Sequence, residues 1–219
     1  MAKVLVAPST LACPLVEMTD YLQVLKTTNA DWLHCDIMDG KFVPNKTFDD
    51  ITLSLITKKT DLYIDVHLMV EKPQLLLSRY IRAGAQGISI HYEAFKSRLE
   101  LIDTLKIMRN LELKVGLAIK PNTTINEVST LLSLIDVLLI MSVEPGFGGQ
   151  KFILGTLTKI MEAKRMREEK GLHYLIEVDG GINIDNARAV VGAGADVMVC
   201  GSALYKAENR IEYVAKLKG

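Results

Sequence analysis

The sequence predicts a single (β/α)8 barrel. Three observations point there. Eight short apolar runs alternate with longer helical patterns. Most of the runs are apolar throughout. No linker-like or low-complexity segment divides the 219 residues. Continuous apolar runs suit parallel strands covered by helices. The competing architecture, an open doubly wound sheet, calls for a Gly-x-Gly-x-x-Gly turn after the first strand. Ser9-Thr10-Leu11 stands there instead. Residues 1–219 are therefore taken as one barrel domain, shorter than the roughly 250 residues typical of such barrels.

The eight strands are expected at 3–8, 31–37, 62–68, 86–91, 113–119, 136–142, 174–179 and 196–200. Helical patterns fall between them. Residues 15–28 place Leu15, Met18, Leu22 and Leu25 near helical spacing, and 97–110 repeats this with Leu101, Leu105 and Met108. Residues 156–170 are charged on one side and offer Leu157, Ile160, Met161 and Ala163 on the other. Residues 183–193 and 209–218 complete the set. Ala83-Gly84-Ala85 and Ala193-Gly194-Ala195 read as one helix-ending turn used twice, each just before a strand.

Hydrophobic residues form 49% of the chain, enough for a sizeable core. Lys+Arg and Asp+Glu are 26 each, so the net charge is zero. That balance argues against nucleic acid or an anionic membrane as partner, because both require a basic surface. Cys13, Cys35 and Cys200 are odd in number and irregularly spaced, which gives neither a disulfide framework nor a zinc ribbon. They read as reduced, inert thiols of a cytoplasmic protein. The apolar stretch Val4-Leu5-Val6-Ala7 is too short for a signal-peptide core, and no run reaches a membrane span.

Barrel active sites lie at the C-terminal ends of the strands. Polar residues concentrate there. Ser9 follows strand one, His34 and Asp36 end strand two, and Asp65 and His67 end strand three. His91 ends strand four, and Glu177 and Asp179 end strand seven. Residues two apart in a strand share a face. Each of these pairs thus points into the barrel, and Cys35 turns outward. Buried charge is costly unless paired or metal-bound. Two imidazoles and two carboxylates converging from three strands suit a divalent metal such as zinc, iron or manganese. Asp65 and Glu177 would orient the ligands. A structural ion-pair network is the competing reading. His173, at the opposite barrel face, reads as a surface residue.

Glycine clusters follow three successive strands: 142–150 after strand six, 179–183 after strand seven and 200–203 after strand eight. Glycine lets backbone N–H groups converge on an anion. Barrel enzymes often place a phosphate at the loops after strands seven and eight. Met38, Met69 and Met141 stand near strand ends and read, taken singly, as core packing.

These segments resemble the ribulose-phosphate 3-epimerase family. The resemblance runs from Val6 to Ser202. It is carried by Ala7-Pro8-Ser9, His34-Cys35-Asp36-Ile37-Met38-Asp39-Gly40, Phe42-Val43-Pro44-Asn45 and Asp65-Val66-His67-Leu68-Met69. Further on come the run from Met141 to Gln150, Glu177-Val178-Asp179-Gly180-Gly181-Ile182 and Gly201-Ser202. The resemblance implies a TIM barrel of the ribulose-phosphate-binding type with one divalent metal ion (Zn, Fe, Mn or Co) held by His34, Asp36, His67 and Asp179. It implies that Asp36 and Asp179 are the catalytic acid–base pair. Ser9 and His67 would contact the substrate, and Met38, Met69 and Met141 would wall the reaction plane. Gly146, Gly148, Gly149, Gly180, Gly181, Gly201 and Ser202 would surround the phosphate. The implied partner is a phosphorylated ketose, and the implied assembly a dimer or hexamer. Leu11 is followed by Ala12-Cys13-Pro14 where the family usually carries an Asp, and Lys41 stands where His is frequent.

The expected activity is 3-epimerisation between D-ribulose 5-phosphate and D-xylulose 5-phosphate. One alternative is the same chemistry on a hexulose 6-phosphate such as D-allulose 6-phosphate. A second is an aldolase or decarboxylase using Lys120, just after strand five. A third is a non-catalytic sugar-phosphate-binding protein.

Overall fold

All eight expected strands form. The computed structural model describes residues 4–219, so the start of strand one at Lys3 lies outside them. The strands are β1 (Leu5–Pro8), β2 (Trp32–Met38), β3 (Tyr63–Met69), β4 (Gly87–His91), β5 (Lys114–Ile119), β6 (Val137–Met141), β7 (Leu175–Asp179) and β8 (Val197–Cys200). β2 and β3 run one residue past their expected ends, through Met38 and Met69. All ladders are parallel, in the order β1-β8-β7-β6-β5-β4-β3-β2. At the seam between β1 and β2 the described residues form a single bridge, from Ser9 to His34.

A repeated device closes the lower rim. Asp31, Gln86, Asp136 and Asp196 each stand just ahead of an even-numbered strand. Their side-chain oxygens accept the backbone N–H groups of Val6, Ile64, Val115 and Ile176 on the preceding odd strand, at 3.0, 2.9, 2.8 and 2.8 Å. Their carbonyls then accept from Tyr63, Lys114, Leu175 and Leu5 on the next odd strand. Asp196 thereby couples β7 to β1, and Asp31 couples β1 to β3 across the thin seam. Each of the three carboxylates has a cation beside it: Lys218 on Asp31, Arg109 on Asp136 and Arg167 on Asp196. The neutral Gln86 requires none.

Above this rim the barrel is filled by side chains. Trp32 and Tyr63 stack with ring centres 4.9 Å apart, among Ala7, Val137, Val197 and Val199. Gly87 makes room for the Tyr63 hydroxyl, which a Cβ would approach to 2.5 Å. The larger core lies between the strands and the helices and includes Leu33, Cys35 and Ile37 on the outer face of β2. Cys35 is thus where the period-two pattern puts it.

The helices are α1 (Met18–Leu25), α2 (Asp50–Thr57), α3 (Leu77–Arg82), α4 (Arg98–Asn110), α5 (Ile125–Val128), α6 (Thr156–Glu169), α7 (Ala187–Ala193), α8 (Ser202–Tyr205) and α9 (Arg210–Lys218). The first helical pattern is corrected. Pro14 opens a separate 3-10 turn over Leu15–Glu17, so the α-helix starts at Met18. Leu15 falls out of phase and is 54% exposed, while Met18, Leu22 and Leu25 are buried. Met161 likewise faces solvent, and Ile160 and Ala163 carry the buried stripe of α6. The repeated Ala-Gly-Ala turns are alike in detail. Gly84 and Gly194 have φ of +106° and +122°. The N–H groups of Ala85 and Ala195 return to Tyr80 and Val190, closing both helices in the same way.

Candidate active site

The polar residues expected at the strand ends converge at the upper end of the barrel. Nε2 of His34 and Nδ1 of His67 face the same two carboxylate oxygens. His34 Nε2 lies 3.4 Å from Asp36 Oδ1 and 3.9 Å from Asp179 Oδ2. His67 Nδ1 lies 3.1 and 3.9 Å from those oxygens. One ligating atom from each of the four residues falls within 4.8 Å of the others. Although His34 is wholly buried, its Nε2 makes no hydrogen bond. A buried imidazole nitrogen without a partner, facing two carboxylates, fits a cation held between them. Two nitrogens and two oxygens suit zinc, iron, manganese or cobalt.

The surroundings orient these groups. His34 Nδ1 lies 2.6 Å from Asp65 Oδ2 and 3.4 Å from Glu177 Oε1, so its far nitrogen is tied to carboxylates. Ser9 Oγ donates to Asp36 Oδ2 at 2.9 Å and accepts from the N–H of Leu11. Asp39, in the turn after β2, accepts from Lys41 and Phe42 through one oxygen and from Glu71 through the other, tying the front loop to the loop after β3.

Burial alone would raise the Asp36 carboxyl, but the charge of His34 and the close approach of His67 outweigh it and hold it well below the usual range. Asp179 goes the other way, to about 6, through burial and the neighbouring Asp36 charge. Glu177 rises to about 8 through burial and the Asp65 charge. For His34, burial works to lower the imidazole, but Asp36, Asp65 and Glu177 together raise it well above its ordinary value.

A cavity partly open to solvent lies above this cluster. Asp36 and Asp179 are in its floor, Met38, Met69 and Met141 in its wall, and Ser9 at its edge. Gly146, Gly148, Gly149, Gly180, Gly181, Gly201 and Ser202 all line it as well. His34 and His67 are absent from the lining. The glycine loops meet closely. A Cβ on Gly180 would come within 2.5 Å of Val143, and one on Gly146 within 3.1 Å of Val43.

Several lining residues had escaped the sequence reading. Leu11, Val143, Ile182 and Val199 add apolar wall, and Phe147 stands exposed at the rim. Ser142 Oγ lies 2.9 and 2.6 Å from the carbonyls of Asp179 and Gly180, bracing the end of β7. Gln150 Nε2 donates to the carbonyls of Glu144 and Phe147, folding its loop on itself. Both residues bracket the glycine run, which was the available signal. His91 turns toward His67 and does not line the cavity, with their Nε2 atoms 2.9 Å apart. Lys120 is also outside the lining, its ammonium 4.3 Å above the Phe42 ring. His173 is exposed, as expected.

The model of the ribulose-phosphate 3 epimerase family matches residues 5–205. The chain belongs to the ribulose-phosphate 3-epimerase family. This epimerase, an isomerase by class, is 39% identical over 215 residues to the ribulose-phosphate 3-epimerase of Bacillus subtilis, covering 98% of each chain. It is 37% identical to the chloroplastic ribulose-5-phosphate-3-epimerase of Arabidopsis thaliana, covering 98% of this chain and 76% of the relative. Among solved structures the epimerase superposes on 3-hexulose-6-phosphate synthase from Salmonella typhimurium with a TM-score of 0.70 at 16% identity, covering 98% and 97% of the two chains. It also superposes on a tryptophan synthase alpha-subunit from Pyrococcus furiosus with a TM-score of 0.69 at 14% identity, covering 98% and 95%. At such identities the likeness is one of fold, and the fold is the TIM barrel.

Among the described residues of the epimerase, no helix is long and apolar enough to cross a membrane. Burial pushes the thiol of Cys13 to about 11 and that of Cys200 to about 12, and raises that of Cys35 as well, which agrees with inert cysteines.

Proposed function

We propose that this chain interconverts D-ribulose 5-phosphate and D-xylulose 5-phosphate by proton transfer between Asp36, Asp179 and C3 of the ketose. The observation that carries the reading is the pair of carboxylates in one cavity floor with acidities pushed in opposite directions. Environments that split two carboxyl groups this way prepare one as base and the other as proton carrier. One carboxylate takes the C3 proton from one face and leaves an enediolate. The other delivers a proton to the opposite face, and the roles exchange in reverse. Met38, Met69 and Met141 exclude water from that plane.

His34, Asp36, His67 and Asp179 would hold the divalent metal. Bound there, it would polarise the ketose carbonyl and stabilise negative charge developing on O2, a contribution of several kcal/mol. Backbone N–H groups around Gly148, Gly149, Gly180, Gly181, Gly201 and Ser202 would bind the phosphate and fix C3 between the carboxylates. The reading includes assembly as a dimer or hexamer. Leu15 and Val16, exposed on the 3-10 turn, are apolar surface that such an assembly would cover.

The test is C3 proton exchange in heavy water, followed by NMR on metal-loaded protein. Deuterium at C3 of ribulose 5-phosphate, together with xylulose 5-phosphate, is expected. No exchange and no product with metal bound would reject the pentose, and D-allulose 6-phosphate is then the substrate to assay.

Metal uptake should also depend on pH. A divalent ion competes with protons on His34 and Asp179, and both hold them more tightly than usual in the metal-free chain. Uptake therefore releases protons, and affinity is expected to fall as pH drops through about 6. A competition titration at pH 5 and pH 8 checks this. Equal affinities would remove protonated Asp179 from the metal-free state.

A further inference from the structure

We infer that Glu93 and His91 are positioning residues that fix the tautomer of His67, so that Nδ1 presents a lone pair to the metal pocket. The inference rests on the metal-site reading above. His67 Nδ1 is the nitrogen that faces Asp36 and Asp179. A neutral imidazole ligates through an unprotonated nitrogen, so the ring proton must sit on Nε2. That Nε2 lies 2.9 Å from Nε2 of His91. In such a pair one nitrogen donates and the other accepts.

Glu93 decides which. Its Oε2 lies 2.9 Å from His91 Nδ1, and a carboxylate only accepts. His91 therefore carries its proton on Nδ1 and leaves Nε2 as acceptor for the His67 N–H. Glu93 is held in turn, because its Oε1 accepts from the N–H of Lys120 at 2.8 Å and from the Thr123 hydroxyl. His91 is wholly buried, so among the described residues its two ring nitrogens have only these partners within reach. The Phe42 ring packs 4.8 Å from His91. Neither Glu93 nor His91 lines the cavity. His34 is oriented directly by a carboxylate, Asp65, whereas His67 receives the same constraint through an intervening imidazole.

Glu93→Gln separates this role from packing. The Lys120 N–H still demands an acceptor, so the carboxamide oxygen stays there and its NH2 turns to His91 Nδ1. His91 must then move its proton to Nε2, which forces His67 to protonate Nδ1. The Zn2+ dissociation constant, measured by chelator competition, is expected to rise about 10- to 100-fold. A purely structural Glu93 would leave it unchanged. Nitrogen-15 NMR of the Zn2+-loaded wild-type protein needs no variant. It should show the His91 proton on Nδ1 and the His67 proton on Nε2. A His91 proton on Nε2, or a Glu93→Gln protein that binds Zn2+ as tightly as wild type, would overturn the inference and leave the metal site standing. A wild-type protein that takes up no Zn2+ would overturn the metal-site reading and this inference with it.

Discussion

Replacing either Asp36 or Asp179 by Asn should lower kcat by about 10³-fold or more, since a positioned acid–base group contributes roughly 10²–10⁴-fold. Asn keeps the shape of Asp and one acceptor oxygen, but it cannot accept or deliver a proton at neutral pH. The shape matters here, because Asp36 also accepts from Ser9 and faces His67. Both variants should be assayed with bound metal quantified, so that lost ligation is separated from lost proton transfer. Folding is checked by thermal melting. Activity within tenfold of wild type in a metal-loaded variant would take that carboxylate out of the mechanism.

Gly181→Ala should be nearly as damaging, for a different reason. Gly181 has φ of +67°, where a side chain strains the backbone. Its Cβ would collide with the backbone nitrogen of Phe152 and lie 2.9 Å from the Gln150 carbonyl. Those contacts are backbone, so the β6 and β7 loops must part, and the proposed phosphate cradle is where they meet. KM for the ketose phosphate is expected to rise about 10²-fold, which corresponds to ~2.8 kcal/mol of lost binding. Gly155→Ala is the matched control, since nothing lies within 4 Å of its Cβ and its φ is −57°. An unchanged KM in Gly181→Ala would show that the cradle tolerates the separation.

The barrel could be read from the chain because most of its strands are continuous apolar runs and its polar pairs obey a period of two. Those features alone pair His34 with Asp36, Asp65 with His67 and Glu177 with Asp179. α2, α5 and α8 were not foreseen, and of α3 only the closing turn at Ala83-Gly84-Ala85, since four to eight residues hold too little periodicity to recognise. The exposure of Leu15 escaped because Pro14 resets the helical phase locally. The part played by His91 was hidden for another reason. It depends on which way one ring faces across two strands, and neither composition nor spacing encodes that. The methionines stayed ambiguous because core packing and a cavity wall select the same residue type.

The four couplings at the lower rim fall at positions 31, 86, 136 and 196, at intervals of 55, 50 and 60 residues. Each interval spans two β/α units, and each position repeats both its side-chain and its carbonyl bond. The floor is thus four-fold symmetric, while the mouth, with its proposed ligands on β2, β3 and β7, has no such symmetry. Closure at the floor and chemistry at the mouth are therefore carried by different residues, so a change at one end leaves the bonds of the other in place.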